Sequence, residues 1–277
     1  MAGKQSPVFM NTEVCIGRSA SERGYSQLLE KRMNDYSNSA LESAGYYGAR
    51  LRAGKRGSQI GDAILIDPAR GFFAVGDSSD REPRAARRFM LKFSELLNSI
   101  TILSTKGIVP VSQLEALMSE IVERSRQILL ESVSQGTTTF TGTLILATEH
   151  ATKALLFHTG DSILMAYHPQ RGIRQITKKN FWLIGKVQEF YQVAVIDVIL
   201  GDRFLLASDG LQDLIAPEGK QLDAYIADLF SQYPVQDIPD RLIGSCDTRT
   251  EGRDDLAVLA LAPDRPFPDL CGILLGG

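Results

Sequence analysis

Cysteine is scarce. Cys15, Cys246 and Cys271 are the only three, far apart and odd in number. That is no disulfide framework, and it suits a reducing compartment. No Cys-x-x-Cys pair exists, which argues against a structural zinc site. Histidine is equally sparse: His150, His158 and His168 form no metal-type cluster. Excess charge of either sign is also missing. Thirty Lys+Arg against 33 Asp+Glu leave a net charge of -3, so neither a nucleic-acid partner nor an acidic membrane partner is expected. No apolar run reaches the roughly 18–20 residues of a spanning helix. The segment Met1-Ala2-Gly3-Lys4-Gln5-Ser6 has no apolar signal core, and Ala2 stands where myristoylation needs glycine. A cytoplasmic protein is expected.

What is present is ordinary for a folded chain. Hydrophobic residues make up 44% of 277, enough to bury a core and to exclude disorder as the main state. Ala63–Asp67 and Phe72–Val75, joined by Pro68-Ala69-Arg70-Gly71, read as a β-hairpin. A helix is predicted over about Glu82–Leu103, with Ser79 and Glu82 at capping-box spacing. A second runs over Val111–Val133, its apolar stripe of Leu114, Leu117, Met118, Ile121, Val122, Ile128 and Leu129 being core packing. Arg18–Tyr36 reads as a further short helix. The period then changes, with strand patterns over Thr137–Ala147, Lys153–Tyr167 (with Gly160-Asp161-Ser162 inside it), Ile173–Thr177, Tyr191–Leu200 and Phe204–Ser208. Leu222–Tyr233 and Ile238–Cys246 look helical, and Leu256–Leu261 is a last strand. Strands and helices in separate runs predict an α+β fold with antiparallel sheets.

Several aspartates share one local design. Asp62, Asp77, Asp209 and Asp254 lie at or beside the ends of apolar strands, mostly next to glycine, and Asp161 sits in Thr159-Gly160-Asp161-Ser162. Turn chemistry accounts for any one of them alone, as it does for Asp67, Asp197 and Asp202. As a set they carry another meaning. Strand ends meet at a sheet rim, and clustered carboxylates repel unless a cation joins them. An all-oxygen donor set selects a hard ion: magnesium, manganese or calcium.

The order and flanks of these motifs resemble the type 2C family of metal-dependent protein serine/threonine phosphatases. Phe204-Leu205-Leu206-Ala207-Ser208-Asp209-Gly210-Leu211-Gln212-Asp213 is similar to its strand followed by Ser-Asp-Gly-x-x-Asp. Thr159-Gly160-Asp161-Ser162 resembles its Gly-Asp-Ser turn, Gly136-Thr137-Thr138 its Gly-Ser/Thr-Thr segment, and Asp254-Asp255-Leu256-Ala257-Val258 its closing Asp-Asn-Ile-Thr-Val. The resemblance spans Tyr46–Leu261. It therefore implies an N-terminal extension over 1–45, a catalytic domain over 46–263 and a tail over 264–277.

The implied fold is a sandwich of two antiparallel β-sheets flanked by helix pairs. The implied activity is hydrolysis of phosphoserine and phosphothreonine by attack of a metal-bridging water. The implied cofactors are two Mn2+ or Mg2+ ions. Asp77 would bridge them, Asp209 and Asp254 would complete the second ion's shell, Asp62 would hold coordinated water, and Ser78 would offer its carbonyl to the first ion. Asp161, with Asp209, either holds a weaker third ion or only shapes its turn. Arg56, in Gly54-Lys55-Arg56, either grips substrate phosphate as a bidentate fork or sits in a solvated basic loop beside Arg50, Arg52 and Lys55. Its spacing to Asp62 is one residue longer than usual in the family. The implied partners are a phosphoprotein substrate and a cognate serine/threonine kinase pathway.

Two departures from the family stand out. Asp77-Ser78-Ser79-Asp80-Arg81 replaces the usual Asp-Gly-His/Met-Gly-Gly, and Ser79 is a poor general acid near neutral pH. That change raises the alternative of a catalytically silent member serving as a binding or regulatory module. Only about twenty residues separate Asn180 from Asp202, where the family often inserts a longer flap, so a more open site is expected.

Overall fold

The computed structural model describes residues 13–16, 40–42, 47–54, 60–67, 70–79, 84–100, 108–131, 136–248, 254–264 and 270–275. The expected helix over Arg18–Tyr36, the Pro68-Ala69 part of the hairpin turn, Arg56 and Glu82 fall outside them. In chain order the strands are β1 (Glu13–Ile16), β2 (Ala40–Glu42), β3 (Tyr47–Arg52), β4 (Asp62–Asp67) and β5 (Phe72–Asp77). Helices α1 (Arg84–Ser99) and α2 (Leu114–Glu131) follow. Then come β6 (Phe140–Ala147), β7 (Thr152–Thr159), β8 (Ile163–His168), β9 (Gly172–Gln175), β10 (Gln192–Val198), β11 (Arg203–Ala207) and β12 (Leu214–Ile215). Helices α3 (Leu222–Gln232) and α4 (Ile238–Ser245) precede β13 (Asp247–Thr248), β14 (Leu256–Leu261) and β15 (Leu270–Leu275).

Two antiparallel sheets form the centre. One has seven strands in the order β1-β15-β4-β5-β6-β7-β10, the other six in the order β2-β3-β14-β11-β8-β9. The predicted α+β sandwich is therefore the observed one. Side-chain alternation explains why its strands read as continuous apolar runs. Along β4, Ala63 and Leu65 face α1 and α2, while Ile64 and Ile66 face the second sheet. Along β14, Ala257, Leu259 and Leu261 face inward, while Leu256, Val258 and Ala260 pack under α3 and α4. A strand covered on both faces has no polar side to alternate with.

The layer beneath α1 and α2 is rich in phenylalanine. The Phe93 ring lies 5.3–5.8 Å from those of Phe72, Phe140, Phe157, Phe89 and Phe190. Full burial of each such ring is worth about 1.5–3 kcal/mol. Phe190 and Ile184 come from the connection before β10, which is tied to α2 by the Gly185 amide donating to the Leu129 carbonyl at 2.8 Å.

One detail differs from the sequence reading: residues 111–113 form a 3-10 turn, and the α-helix starts at Leu114. At the start of α1, the Ser78 hydroxyl accepts the Ala86 amide at 3.1 Å and so satisfies one of the helix-terminal N–H groups. Strands β1 and β15 extend the first sheet, and β2 extends the second.

Candidate functional site

Strands β4 and β5 pair so that Asp62, the first residue of one, stands opposite Asp77, the last of the other. The second sheet contributes from the same rim. Strand β11 pairs with β14, and the chain leaves β11 through Ser208 into a 3-10 turn over Asp209–Asp213. Asp254 lies two residues before β14. Gly210 is required at this crossing, since a Cβ there would stand 2.0 Å from the Asp255 carbonyl oxygen. Asp161 lies in the turn between β7 and β8, where Gly160 has φ +103° and no room for a side chain against Thr139.

These aspartates feel one another. Burial lifts the Asp62 carboxyl well above the usual range, and the Asp77 charge lifts it further. Burial also raises Asp77 to about 7, with Asp209 and Asp254 adding to the shift. Asp209 rises to about 6, again chiefly through burial and then through Asp161 and Asp254, while Lys179 opposes the shift. The Lys179 ammonium stands 3.5 Å from Asp161. The structure thus brings Asp62, Asp77, Asp161, Asp209 and Asp254 into one electrostatic neighbourhood at the junction of the two sheets.

The motifs around them are joined by hydrogen bonds. The Asp77 carbonyl accepts the Thr138 hydroxyl and the Thr139 amide, both at 2.8 Å, and the Asp77 amide donates to the Thr139 hydroxyl at 3.0 Å. That hydroxyl meets the Ser162 hydroxyl at 2.6 Å, linking the Asp161 turn to Asp77. Ser78 is buried, its amide donating to the Gly61 carbonyl at 3.2 Å. Ser79 is exposed, its hydroxyl 2.7 Å from that of Thr137. Arg52, four residues before Arg56, pairs with Leu256, which packs under α3 and α4, and its charge acts on Cys246.

Several contributors were not legible as site residues. Ser208 is buried and donates to Asp62 Oδ2 at 2.6 Å while accepting the Ala257 amide at 2.9 Å. Its signal was its place before Asp209. Asn180 accepts the Gly160 amide at 2.9 Å and the Trp182 amide at 3.0 Å, holding the Asp161 turn. Its side chain also reaches the buried His158, whose Nδ1 is 2.8 Å from the Thr141 hydroxyl. Nothing in the sequence around Lys179 or Asn180 marked them.

Does the site suit a divalent cation? Asp62 Oδ1 and Asp209 Oδ1 are buried and accept no hydrogen bond. Such oxygens are costly unless paired, and a cation pairs them. Among the described residues, no three His, Cys, Asp or Glu side chains converge tightly enough to enclose an ion as they stand. The carboxylates form a mutually repelling, all-oxygen set, and the donor chemistry fits magnesium or manganese.

The fold is that of the bacterial type 2C serine/threonine phosphatases. The Mycobacterium tuberculosis serine/threonine phosphatase PstP/Ppp superposes with a TM-score of 0.56 at 19% identity, over 77% of this chain and 96% of that one. The catalytic domain of PstP in complex with two manganese ions gives 0.53 at 18% identity, over 82% and 97%. The S. agalactiae serine/threonine phosphatase gives 0.56 at 16% identity, over 78% and 98%. The chain itself belongs to the family described as Stage II sporulation protein E (SpoIIE), whose model matches residues 67–264. Asp77, Asp161, Asp209 and Asp254 lie inside that match and Asp62 just before it. No curated protein sequence matches the chain.

Proposed function

We propose that this chain is a metal-dependent phosphoprotein phosphatase acting on phosphoserine and phosphothreonine. The observation that carries the reading is the set of mutually repelling carboxylates at one rim of the sandwich, from buried Asp62 to half-buried Asp77 and Asp209, with unpaired buried oxygens on Asp62 and Asp209. Two Mn2+ or Mg2+ ions, when bound, supply the positive charge that acidifies water and neutralises a phosphate group. Asp77, which interacts with carboxylates of both sheets, would serve both ions. Asp209 and Asp254 would serve the second. Ser208 fixes the Asp62 carboxylate from the side away from its free oxygen. Asp161 joins Asp209 as the place for a weaker third ion, with Lys179 as its competing charge. The carbonyl of Ser78 and the guanidinium of Arg56 complete the assignment, on the first ion and on substrate phosphate. The partners are phosphoproteins of a serine/threonine kinase pathway, in the cytoplasm. No helix among the described residues is long and apolar enough to cross a membrane.

Hydrolysis of p-nitrophenyl phosphate and of a phosphoserine peptide, with EDTA and then with added Mn2+ or Mg2+, tests the reading. The expected result is loss on chelation and recovery on metal addition. Hydrolysis indifferent to EDTA would remove the two-ion reading. No hydrolysis with any metal would leave the chain a silent member acting as a binding or regulatory module, as the Ser78-Ser79 replacement suggests.

A further inference from the structure

Asp255 stands where the resembled phosphatases carry asparagine, and its surroundings give the extra carboxylate oxygen a use. It is buried beside the rim. Its Oδ1 accepts the Gly54 amide at 2.7 Å, and its Oδ2 accepts the Gly61 amide, also at 2.7 Å. Gly54 follows β3 and Gly61 immediately precedes Asp62, so one side chain joins two strands about 200 residues away in sequence (|i−j| of 201 and 194). Bonds from amides to an ionised carboxylate are short and roughly twice as strong as neutral ones. The Asp255 amide donates to Asp254 Oδ1 at 3.1 Å, orienting that carboxylate. Its carbonyl is the surface against which Gly210, next to Asp209, is packed. Asp255 therefore touches the segments bearing Asp62, Asp209 and Asp254, and its charge adds to the lift on Asp62.

We propose that Asp255 is a positioning residue: a two-oxygen clasp that holds the start of β4 against the start of β14 and so sets the spacing of the carboxylates that receive the metal. The inference rests on the phosphatase reading. Asparagine keeps one acceptor oxygen, but its NH2 faces an amide donor where the second oxygen was, so one arm of the clasp opens. Partners that orient metal ligands typically change metal affinity by about 10–100-fold when removed.

The test titrates the full-length wild type, Asp255→Asn and Asp255→Glu with Mn2+ by calorimetry. Beside it, amide hydrogen exchange is read at Gly54 and Gly61 in the metal-free proteins. Asp255→Asn should exchange faster at these amides and bind Mn2+ about 10–100-fold more weakly, with p-nitrophenyl phosphate turnover largely recovered at saturating Mn2+. Asp255→Glu, which keeps both oxygens, should fall between, and it carries the test if the asparagine variant does not fold. A purely structural role would lower the melting temperature and leave the Mn2+ affinity of the folded protein unchanged. Wild-type affinity in Asp255→Asn, or unchanged exchange at both glycines, overturns the clasp. A wild type that binds no Mn2+ overturns the phosphatase reading instead, and the clasp is then decided by the exchange data alone.

Discussion

Strands β4 and β5 hold two environments of opposite energetics within six residues each. Over most of their length both faces are apolar and fully covered, with phenylalanine rings stacked edge to face under α1. At the rim, the same strands present Asp62 and Asp77 opposite each other, both raised by burial and by neighbouring charge. The first environment lowers the free energy of the fold at almost every atom. The second raises it, through desolvation and mutual repulsion of the carboxylates. A rim of repelling carboxylates persists because the core behind it is rigid enough to over-determine the positions of the strand ends. The lesson is a division of labour: stability resides in the covered apolar layers, and the candidate ligands stand where burial and repulsion oppose it.

The sharpest break of that comparison comes from removing rim charge. Asp209→Asn and Asp254→Asn should each lower phosphatase activity by orders of magnitude. The metal-free melting temperature should rise or barely change, because one source of repulsion is gone. Kinetics with p-nitrophenyl phosphate beside calorimetry in EDTA checks both halves. Normal hydrolysis in both variants would show that these are not ligands.

The reverse substitution belongs to the core. Phe93→Ala removes a ring in contact with five others and should cost about 3–5 kcal/mol of stability in denaturant unfolding. The fraction that stays folded should keep its Mn2+ requirement and its KM. A large change in metal dependence would show that core and rim are not separable.

A gentler test uses pH. Asp77 and Asp209 ionise near 7 and near 6 in the folded chain, against an ordinary value of 3.8. Between these values the folded state holds protons that the unfolded state has lost. Their stabilising contribution is full below 3.8 and is lost as pH rises through 6 and 7. The melting temperature in EDTA should therefore fall by roughly 5–10 °C between pH 5 and 8. Saturating Mn2+ should flatten or reverse that slope, since metal binding displaces the protons. A metal-free melting temperature that rises across this window would contradict the raised pKa values of Asp77 and Asp209.

Much of the fold was legible because burial leaves a local trace. Strand and helix periods, the Asp67–Phe72 hairpin and the order of the short motifs are written in residues close together in the chain. The candidate ligands were legible in the same way, as aspartates at strand ends beside glycine. Their supports were not. Ser208 is legible as the first residue of its Ser-Asp-Gly motif, but not as the donor to Asp62, 146 residues away. Lys179 and Asn180 lie in an irregular segment that no period describes, and Asp255 is legible only as part of the closing motif that follows Asp254. Strands β1 and β2 are short, and they gain meaning only from the sheet edges they form.

By itself, the sequence determined the antiparallel class of the fold, the order of its elements and an oxygen-rich set of candidate ligands. Each follows from local pattern, in which a residue's neighbours along the chain dictate its burial. Tertiary structure alone decided which carboxylates share one field, which of their oxygens go unpaired, and that Asp255 joins β4 to β14. Those properties depend on distances between residues as far apart as Asp62 and Asp254, and only the closed sandwich sets such distances.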